Sequence, residues 1–327
     1  SDAYLPGAEV LVHSLRETRT RREVVVLVTP DVGTVARRKL ETRGADRVLE
    51  VAPIPNPHEA RSRTPDEAAA PWTGSGYTKL QCWRLVEYAT VVYVDADAVV
   101  LEPIDELFEL GVVFAAAPDV FPPDKFNAGV LVLEPSVERF EALCRAAPSA
   151  PSHDGGDTGL LNSLFPDWWT GPPATRLAFR YNAQRTMYWM THAKRPGYWA
   201  AVEPIKVLHF SSSPKPWDAS NHKKGDLEML WWERYVRMQL MTTTSSTSSP
   251  TSMVHRHMGT LPCTRGSRHK GTRDLTDDAG ETARVLPSAA AAASGASASA
   301  PRVDGTVLTG GPTAVPAASS AAAATGT

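Results

Sequence analysis

The sequence predicts an α/β fold: one domain over residues 1–241, with a mostly parallel central sheet flanked by helices, then a low-complexity disordered tail over 242–327. Three observations carry this. Short runs such as Val24-Val25-Val26-Leu27-Val28 and Val91-Val92-Tyr93-Val94 are nearly continuously apolar, as strands buried on both faces are. Stretches of helical period alternate with them and set up the βαβ rhythm of a parallel sheet. After Met241 the composition turns to Thr, Ser, Ala, Gly and Pro, and the aromatic residues vanish. Such a segment cannot bury enough apolar surface to offset its ordering entropy.

In chain order, residues 1–7 read as a loop, and Val10, Leu11, Val12 and Leu15 form a helical stripe ending near Arg19. Residues 23–29 are a buried strand. Residues 31–44 are a basic amphipathic helix closed by Gly44 as C-cap. Residues 47–51 are a strand. A sheet of this kind begins with a strand, and the first one is expected to be missing ahead of Ser1. Residues 53–76, rich in Pro, Ala and charge, read as a loop or lid. Residues 78–88 suggest a helix with Leu80, Trp83 and Val86 on one face. Residues 91–94 are a strand, 103–110 a short helix, 112–117 and 126–133 strands, and 137–146 a helix. A Gly-rich loop at 155 feeds the next helix. Trp168 and Trp169 mark an apolar patch. Residues 206–210 are a last strand, and 226–240 a closing helix with Leu227, Leu230, Trp231 and Tyr235 inward.

The formal net charge of −2 argues against a nucleic-acid binder that works by bulk charge. Cys82, Cys144 and Cys263 show no pairing pattern and no C-x-x-C spacing. No apolar run reaches the roughly 18 residues of a membrane span. The compartment is left open between the cytoplasm and the Golgi lumen.

Asp95 and Asp97 stand at the end of the 91–94 strand with Ala96 between them. In extended chain, residues two apart point the same way, so both carboxylates face one spot at the strand's end, where ligands bind in open α/β sheets. A divalent cation is the economical partner for two adjacent carboxylates. The bland alternative is a solvated turn with an Asp N-cap.

Tyr77-Thr-Lys-Leu-Gln-Cys-Trp, Val94-Asp-Ala-Asp, Phe126-Asn-Ala-Gly-Val, Gly155-Gly-Asp-Thr-Gly-Leu-Leu-Asn and His209-Phe-Ser-Ser-Ser-Pro-Lys-Pro-Trp follow one another in that order. Over about residues 1–240 they resemble the ordered motifs of glycosyltransferase family 8, and most closely its glycogenin-like members. The resemblance implies a GT-A-type (Rossmann-like) fold and a retaining, metal-dependent transfer of a hexose from a UDP-sugar, UDP-glucose favoured, to a hydroxyl acceptor. That acceptor is a carbohydrate, lipid, polyol or protein, and a homodimer is among the assemblies it allows. Asp95, Asp97 and His209 match the metal site. Two carboxylates and an imidazole suit Mn²⁺ better than Ca²⁺. Lys79 matches a donor-contacting lysine; as a cation at a helix start it is unfavourably placed unless an anion sits beside it. Lys215 faces the phosphates as a point charge. Ala96 belongs to the donor-binding Asp-Ala-Asp, and Tyr4 matches a residue beside the uracil. Asp119, Asn127, Asp154 and Asp157 match residues around the donor sugar. Asn127 and Asp157 are equally readable as loop caps. Asp157 and Lys215 are the catalytic candidates. The mechanism implied is a same-face substitution, with Asp157 as an alternative base or transient nucleophile.

The chain departs from that pattern at Thr158, where relatives carry glutamine, and at Ser212, where they carry glycine. Tyr188 lies near the position of a self-glucosylated tyrosine but out of register. With Tyr181 seven residues earlier it suggests one buried helical face, and no self-glucosylation. The alternatives are a UDP-glucuronate or UDP-galactose transferase acting on a polysaccharide, lipid or polyol, and a non-catalytic UDP-sugar or partner-binding module.

Overall fold

The apolar runs become strands of one large sheet. The computed structural model describes residues 2–57, 76–218, 225–246 and 303–309. In chain order the strands are β1 (Glu23–Val28), β2 (Arg47–Glu50), β3 (Tyr88–Asp95), β4 (Ala98–Val100), β5 (Phe114–Pro118), β6 (Phe126–Leu133), β7 (Ala183–Gln184), β8 (Val207–His209) and β9 (Val303–Thr309). The helices are α1 (Leu5–Glu17), α2 (Thr34–Thr42), α3 (Val137–Ala146), α4 (Asp157–Leu164), α5 (Arg185–Thr191), α6 (Gly197–Ala200) and α7 (Asp226–Ser246). The large sheet has the order β2-β1-β9-β3-β6-β5, and a small one the order β4-β8-β7. In the large sheet only β6 runs against the rest, so it is mostly parallel, as the sequence predicts.

Alternation within the strands builds a core on each face. Val24, Val26, Val28, Val92 and Val94 pack with Leu11, Val12 and Leu15 of α1. Val25, Leu27, Val91 and Tyr93 pack with Trp83, Phe126, Leu131 and Leu160 on the other side. Each buried aliphatic side chain contributes about 1.5–3 kcal/mol. A third cluster joins Val99, Leu208 and Phe210 to Trp231 of α7. Ser136 caps α3 by accepting from the Arg139 N–H. Gly44, at φ 112°, ends the turn after α2 in the left-handed conformation expected of it.

Four expectations are corrected. The helix expected at 78–88 is a 3₁₀ turn, Tyr77–Arg84, and β3 already begins at Tyr88. The three-residue period aligns Tyr77, Leu80 and Trp83, all fully buried. Val86 falls beyond the turn and is exposed. The short helix expected at 103–110 is likewise a 3₁₀ turn, Asp105–Glu109. The strand expected at 206–210 is present as β8, in the small sheet between β4 and β7, but it is not the last, because β9 follows it. The tail, read as disordered from 242, contains the end of α7 and all of β9.

β9 lies parallel between β1 and β3, with Thr306 buried. It fills the position of the strand expected to be missing, and it belongs to the same compact unit as residues 1–245. Averaged over the tail, the composition conceals the β-prone cluster of Val303, Thr306, Val307 and Thr309. Most of the loop or lid expected at 53–76 lies outside the described residues, as do Cys263 and the other tail residues. No helix among the described residues is long and apolar enough to cross a membrane.

Candidate active site

The site forms where the chain changes sheets. β3 leaves the large sheet at Asp95, Ala96-Asp97 make a turn, and β4 enters the small sheet at Ala98. Asp97 is therefore in a turn and not in the extended chain the sequence suggests. The Phe210 N–H donates to the Asp97 carbonyl at 2.9 Å, and β4 pairs with β8 in the register Ala98↔His209. This brings His209, more than a hundred residues away in sequence, onto the Asp pair. One ligand atom each from Asp95, Asp97 and His209 lie within 4.8 Å of one another.

His209 is aimed. Its Nε2 lies 3.2 Å from Asp97 Oδ1 and 3.8 Å from Asp95 Oδ2. On the far side, Nδ1 lies 2.7 Å from Asn182 Oδ1. The Asn182 amide donates to Asn127 Oδ1, which also accepts from the Gly129 N–H, both at 2.9 Å. With its amide nitrogen donating, Asn182 presents an oxygen to the imidazole. His209 therefore donates from Nδ1 to Asn182 and turns Nε2 toward the two carboxylates, where a cation would take its lone pair. Gly129 makes room for the ring: a Cβ there would stand 2.5 Å from His209 Nδ1. Two carboxylates and an oriented imidazole nitrogen would suit a divalent first-row cation.

Two buried ammonium groups flank the triad. Lys79 lies 3.2 Å from Asp95 Oδ1 and 2.8 Å from Asp157 Oδ2, and donates to the Ala128 carbonyl at 2.9 Å. Burial pulls its pKa down, but Asp157 and Asp95 override that and raise it above the ordinary lysine value. The anions that justify a lysine here are thus the protein's own carboxylates. Lys215 donates to Asp97 Oδ2 at 2.5 Å and to the Phe210 carbonyl at 2.7 Å. Burial pushes the Asp97 carboxyl up, yet Lys215 and His209 together hold it well below the usual carboxylate range.

The remaining predicted residues gather beside this centre. Asp157 opens α4; burial and the charge of Asp95 raise its carboxyl against the pull of Lys79. Asp154 Oδ1 accepts from the Gly156 and Gly159 N–H groups, each at 2.9 Å, and so ties the loop into α4. Asp119 accepts from the Val120 N–H at 2.6 Å and from the Asn127 amide at 3.4 Å; burial raises its carboxyl. Asn127 thus works within the network under His209. Tyr4 sets its ring edge-on to Trp217, centroids 5.7 Å apart; burial, then Asp97 and Asp95, raise its phenol above the ordinary value. The Ala96 carbonyl packs against Gly7 of α1, where a Cβ would stand 2.5 Å away.

Several residues that hold the site together escape the sequence reading or enter it only as departures. Tyr93 donates to Asp95 Oδ1. Arg185 is fully buried, pairs with Glu228 at 2.7 Å, and donates to the Ser212 carbonyl (2.6 Å), Ser212 Oγ (3.0 Å) and the Pro214 carbonyl (2.9 Å). That explains the departure at Ser212: its hydroxyl helps fasten the loop carrying Lys215. Thr158 Oγ1 accepts from the Ala128 N–H at 3.1 Å and ties α4 to β6. Asn182 and Arg185 had a signal, polar residues flanking a two-residue strand, but no motif marks them.

Tyr181 and Tyr188 do not share a helix as expected, since the first is in a 3₁₀ turn (Phe179–Asn182) and the second in α5. Tyr188 stacks on His192, donates to Asp226 at 3.0 Å, and has its phenol pushed up to about 12 by burial and Asp226.

At the edge of the sheet, Asp95, Asp97 and His209 form a cluster that could hold a metal ion, with two buried ammonium groups beside it. The chain belongs to glycosyltransferase family 8: the family model described as Glycosyl transferase family 8 matches residues 1–221. It is 38% identical over 256 residues to human Glycogenin-2, covering 72% of this chain and 48% of that protein. It is 39% identical over 218 residues to mouse Glycogenin-1, covering 67% and 63%. Inositol phosphorylceramide glucuronosyltransferase 1 of Arabidopsis thaliana is 29% identical over 255 residues, covering 72% and 42%. The chain thus spans about half of human Glycogenin-2 and just under two-thirds of mouse Glycogenin-1. The crystal structure of the glycosyltransferase GlyE from Streptococcus pneumoniae TIGR4 aligns with TM-score 0.51 at 22% identity, over 77% of this chain and 64% of that one, a likeness of fold.

Proposed function

We propose that the chain is a divalent-cation-dependent retaining glycosyltransferase. It moves a hexose from a UDP-sugar to a hydroxyl acceptor, with UDP-glucose the favoured donor and Mn²⁺ the cation. The observation that carries this is the Asp95–Asp97–His209 cluster flanked by Lys79 and Lys215. A bound cation supplies charge neutralisation to the leaving diphosphate. Lys215 adds a point charge on a loop fixed by Arg185, and Lys79 holds Asp157 in place. The acceptor oxygen forms the new bond to the anomeric carbon on the face from which UDP departs with its electron pair, and the acceptor proton passes to the departing phosphate oxygen. Asp157, its carboxyl raised, stands as the alternative base.

The charges favour a neutral sugar. Asp119, Asp154 and Asp157 act on one another electrostatically, and Lys79 is already engaged by Asp95 and Asp157. Such a subsite accepts hydrogen bonds from hydroxyls and repels the carboxylate of a uronate. The glycogenin names among the relatives agree with glucose, whereas the plant relative's name favours glucuronate and a lipid. Tyr188, held by Asp226 and His192, is not the acceptor.

The test is UDP release from UDP-glucose, UDP-galactose and UDP-glucuronate, with Mn²⁺ and with excess chelator. Release from UDP-glucose only with the cation is expected. Undiminished release in chelator refutes the metal role; faster release from UDP-glucuronate refutes the donor choice; binding of UDP-glucose without any release makes the chain a binding module. Intact mass after incubation reads self-glucosylation, and a hexose ladder lost in Tyr188→Phe would refute the exclusion of Tyr188.

A further inference from the structure

The donor-side network leaves one buried amide nitrogen unused among the described residues. Gln184 ends β7, and the register pairs it with His209 on β8. Paired residues on neighbouring strands point to the same face, so the Gln184 side chain emerges on the face from which His209 reaches the Asp pair. Its neighbour Arg185 goes the other way, to Glu228 and the 212–214 loop. Asn182, two residues earlier, supports His209 directly.

Gln184 is 4% exposed, and its Nε2 has no hydrogen-bond partner among the described residues. The amide approaches the Asp119 carboxylate closely enough to favour its ionised form, yet makes no full hydrogen bond to it. A buried N–H left unpaired is costly, and native structures satisfy nearly all of them. One kept in a site lined by Asp119, Asn127 and Asp154 points to a ligand acceptor that completes it. The carboxylates of this subsite offer only acceptors to a sugar; Gln184 offers a donor. A hydroxyl placed between Asp119 and Gln184 would donate to one and accept from the other, which fixes both its position and its orientation on the ring.

We infer that Gln184 is a specificity residue for the transferred sugar, donating its amide N–H to one hydroxyl oxygen of a neutral hexose while Asp119 accepts that hydroxyl's proton. This rests on the proposed donor class. It assigns to Gln184 the discrimination between hexose epimers, which requires a donor and an acceptor at one hydroxyl. Sites that hydrogen-bond a substrate hydroxyl reject analogues lacking it because their own polar groups are then left unpaired.

The experiment compares the parent with Gln184→Met and Gln184→Glu, both checked for parental melting. The Met side chain keeps length and loses the amide; Glu keeps shape and an acceptor but loses the N–H. Affinities for UDP and UDP-glucose are measured by calorimetry with Mn²⁺, and kcat/KM is measured with UDP-glucose, UDP-galactose and a series of monodeoxy UDP-glucoses. The expected result is parental UDP affinity with a loss of roughly 10–100-fold in kcat/KM for UDP-glucose. One deoxy analogue, poor for the parent, should lose nothing further in either variant. Parental UDP-glucose parameters in both folded variants overturn the inference alone. An equal loss of UDP affinity overturns it too, because it assigns Gln184 a structural role. A parent that neither binds nor turns over UDP-sugars overturns it together with the proposed function.

Discussion

Asp97→Asn separates two roles held by one carboxylate. From the sequence the substitution looks harmless to the fold, since Asp97 follows the strand core. The structure makes Asp97 the counter-charge of Lys215, itself 6% exposed. Breaking a buried pair by removing one partner costs about 3–5 kcal/mol. Lys215 keeps the Phe210 carbonyl, and an asparagine oxygen still accepts, so about 2–4 kcal/mol is expected here. For a domain of this size that lowers Tm by roughly 5–15 °C. The assay is thermal unfolding in chelator, so that only the ion pair is read. Lys215→Met and the double variant complete a cycle, and the double variant should be more stable than additivity predicts by about 1–3 kcal/mol. Adding Mn²⁺ then reads the role as metal ligand, since the cation should raise the parent's Tm and raise the variant's far less. Parental melting of Asp97→Asn in chelator, or additivity within about 0.5 kcal/mol, refutes the pairing.

Further expectations follow from the same geometry. Deleting 303–309 removes the strand between β1 and β3, so the truncated chain should melt far lower or fail to stay soluble; an unchanged melting curve removes β9 from the fold. Asp119→Asn should raise Tm at pH 7 while lowering turnover, because burial raises the Asp119 carboxyl and its ionised form is unfavourable in the unliganded site; its advantage should shrink as pH falls through the raised folded value. Asp97 has the opposite sign: the stability it contributes is complete above the ordinary carboxylate value near pH 4 and is lost as pH falls below it. Acid unfolding below about pH 4 should therefore be steeper in the parent than in Asp97→Asn.

The sequence made the sheet legible because Val24 to Val28 and Val91 to Val94 are buried on both faces, and such burial leaves an unbroken apolar run. It made the Asp95–Asp97–His209 cluster legible because the two aspartates stand two residues apart and the histidine sits in a motif. What it concealed has physical reasons. Gly129 is functional by lacking a side chain. Asn182 acts on His209 from a different strand, through a register no local pattern encodes. The 3₁₀ period at Tyr77, Leu80 and Trp83 imitates a helix until the chain has to enter β3. β9 is seven residues inside a long tail of opposite character, so any average over the tail erases it.

Charge also sets an order of binding. Five carboxylates, Asp95, Asp97, Asp119, Asp154 and Asp157, face two ammonium groups, Lys79 and Lys215. Both lysines are spent on aspartates, so the site by itself repels a nucleoside diphosphate. A divalent cation held by Asp95, Asp97 and His209 would reverse the local sign and would free Lys79 and Lys215 to act on phosphate oxygens. UDP affinity should therefore fall on chelation by a factor in the range of about 5–150, the usual size of coupling between two sites. Coupling is reciprocal, so saturating UDP must tighten Mn²⁺ binding by that same factor. Calorimetry run in both directions measures the two numbers independently. UDP binding equally well to the chelated protein would show that the lysines are already free for the phosphates, and that the carboxylate pairings are not the ones that govern the donor.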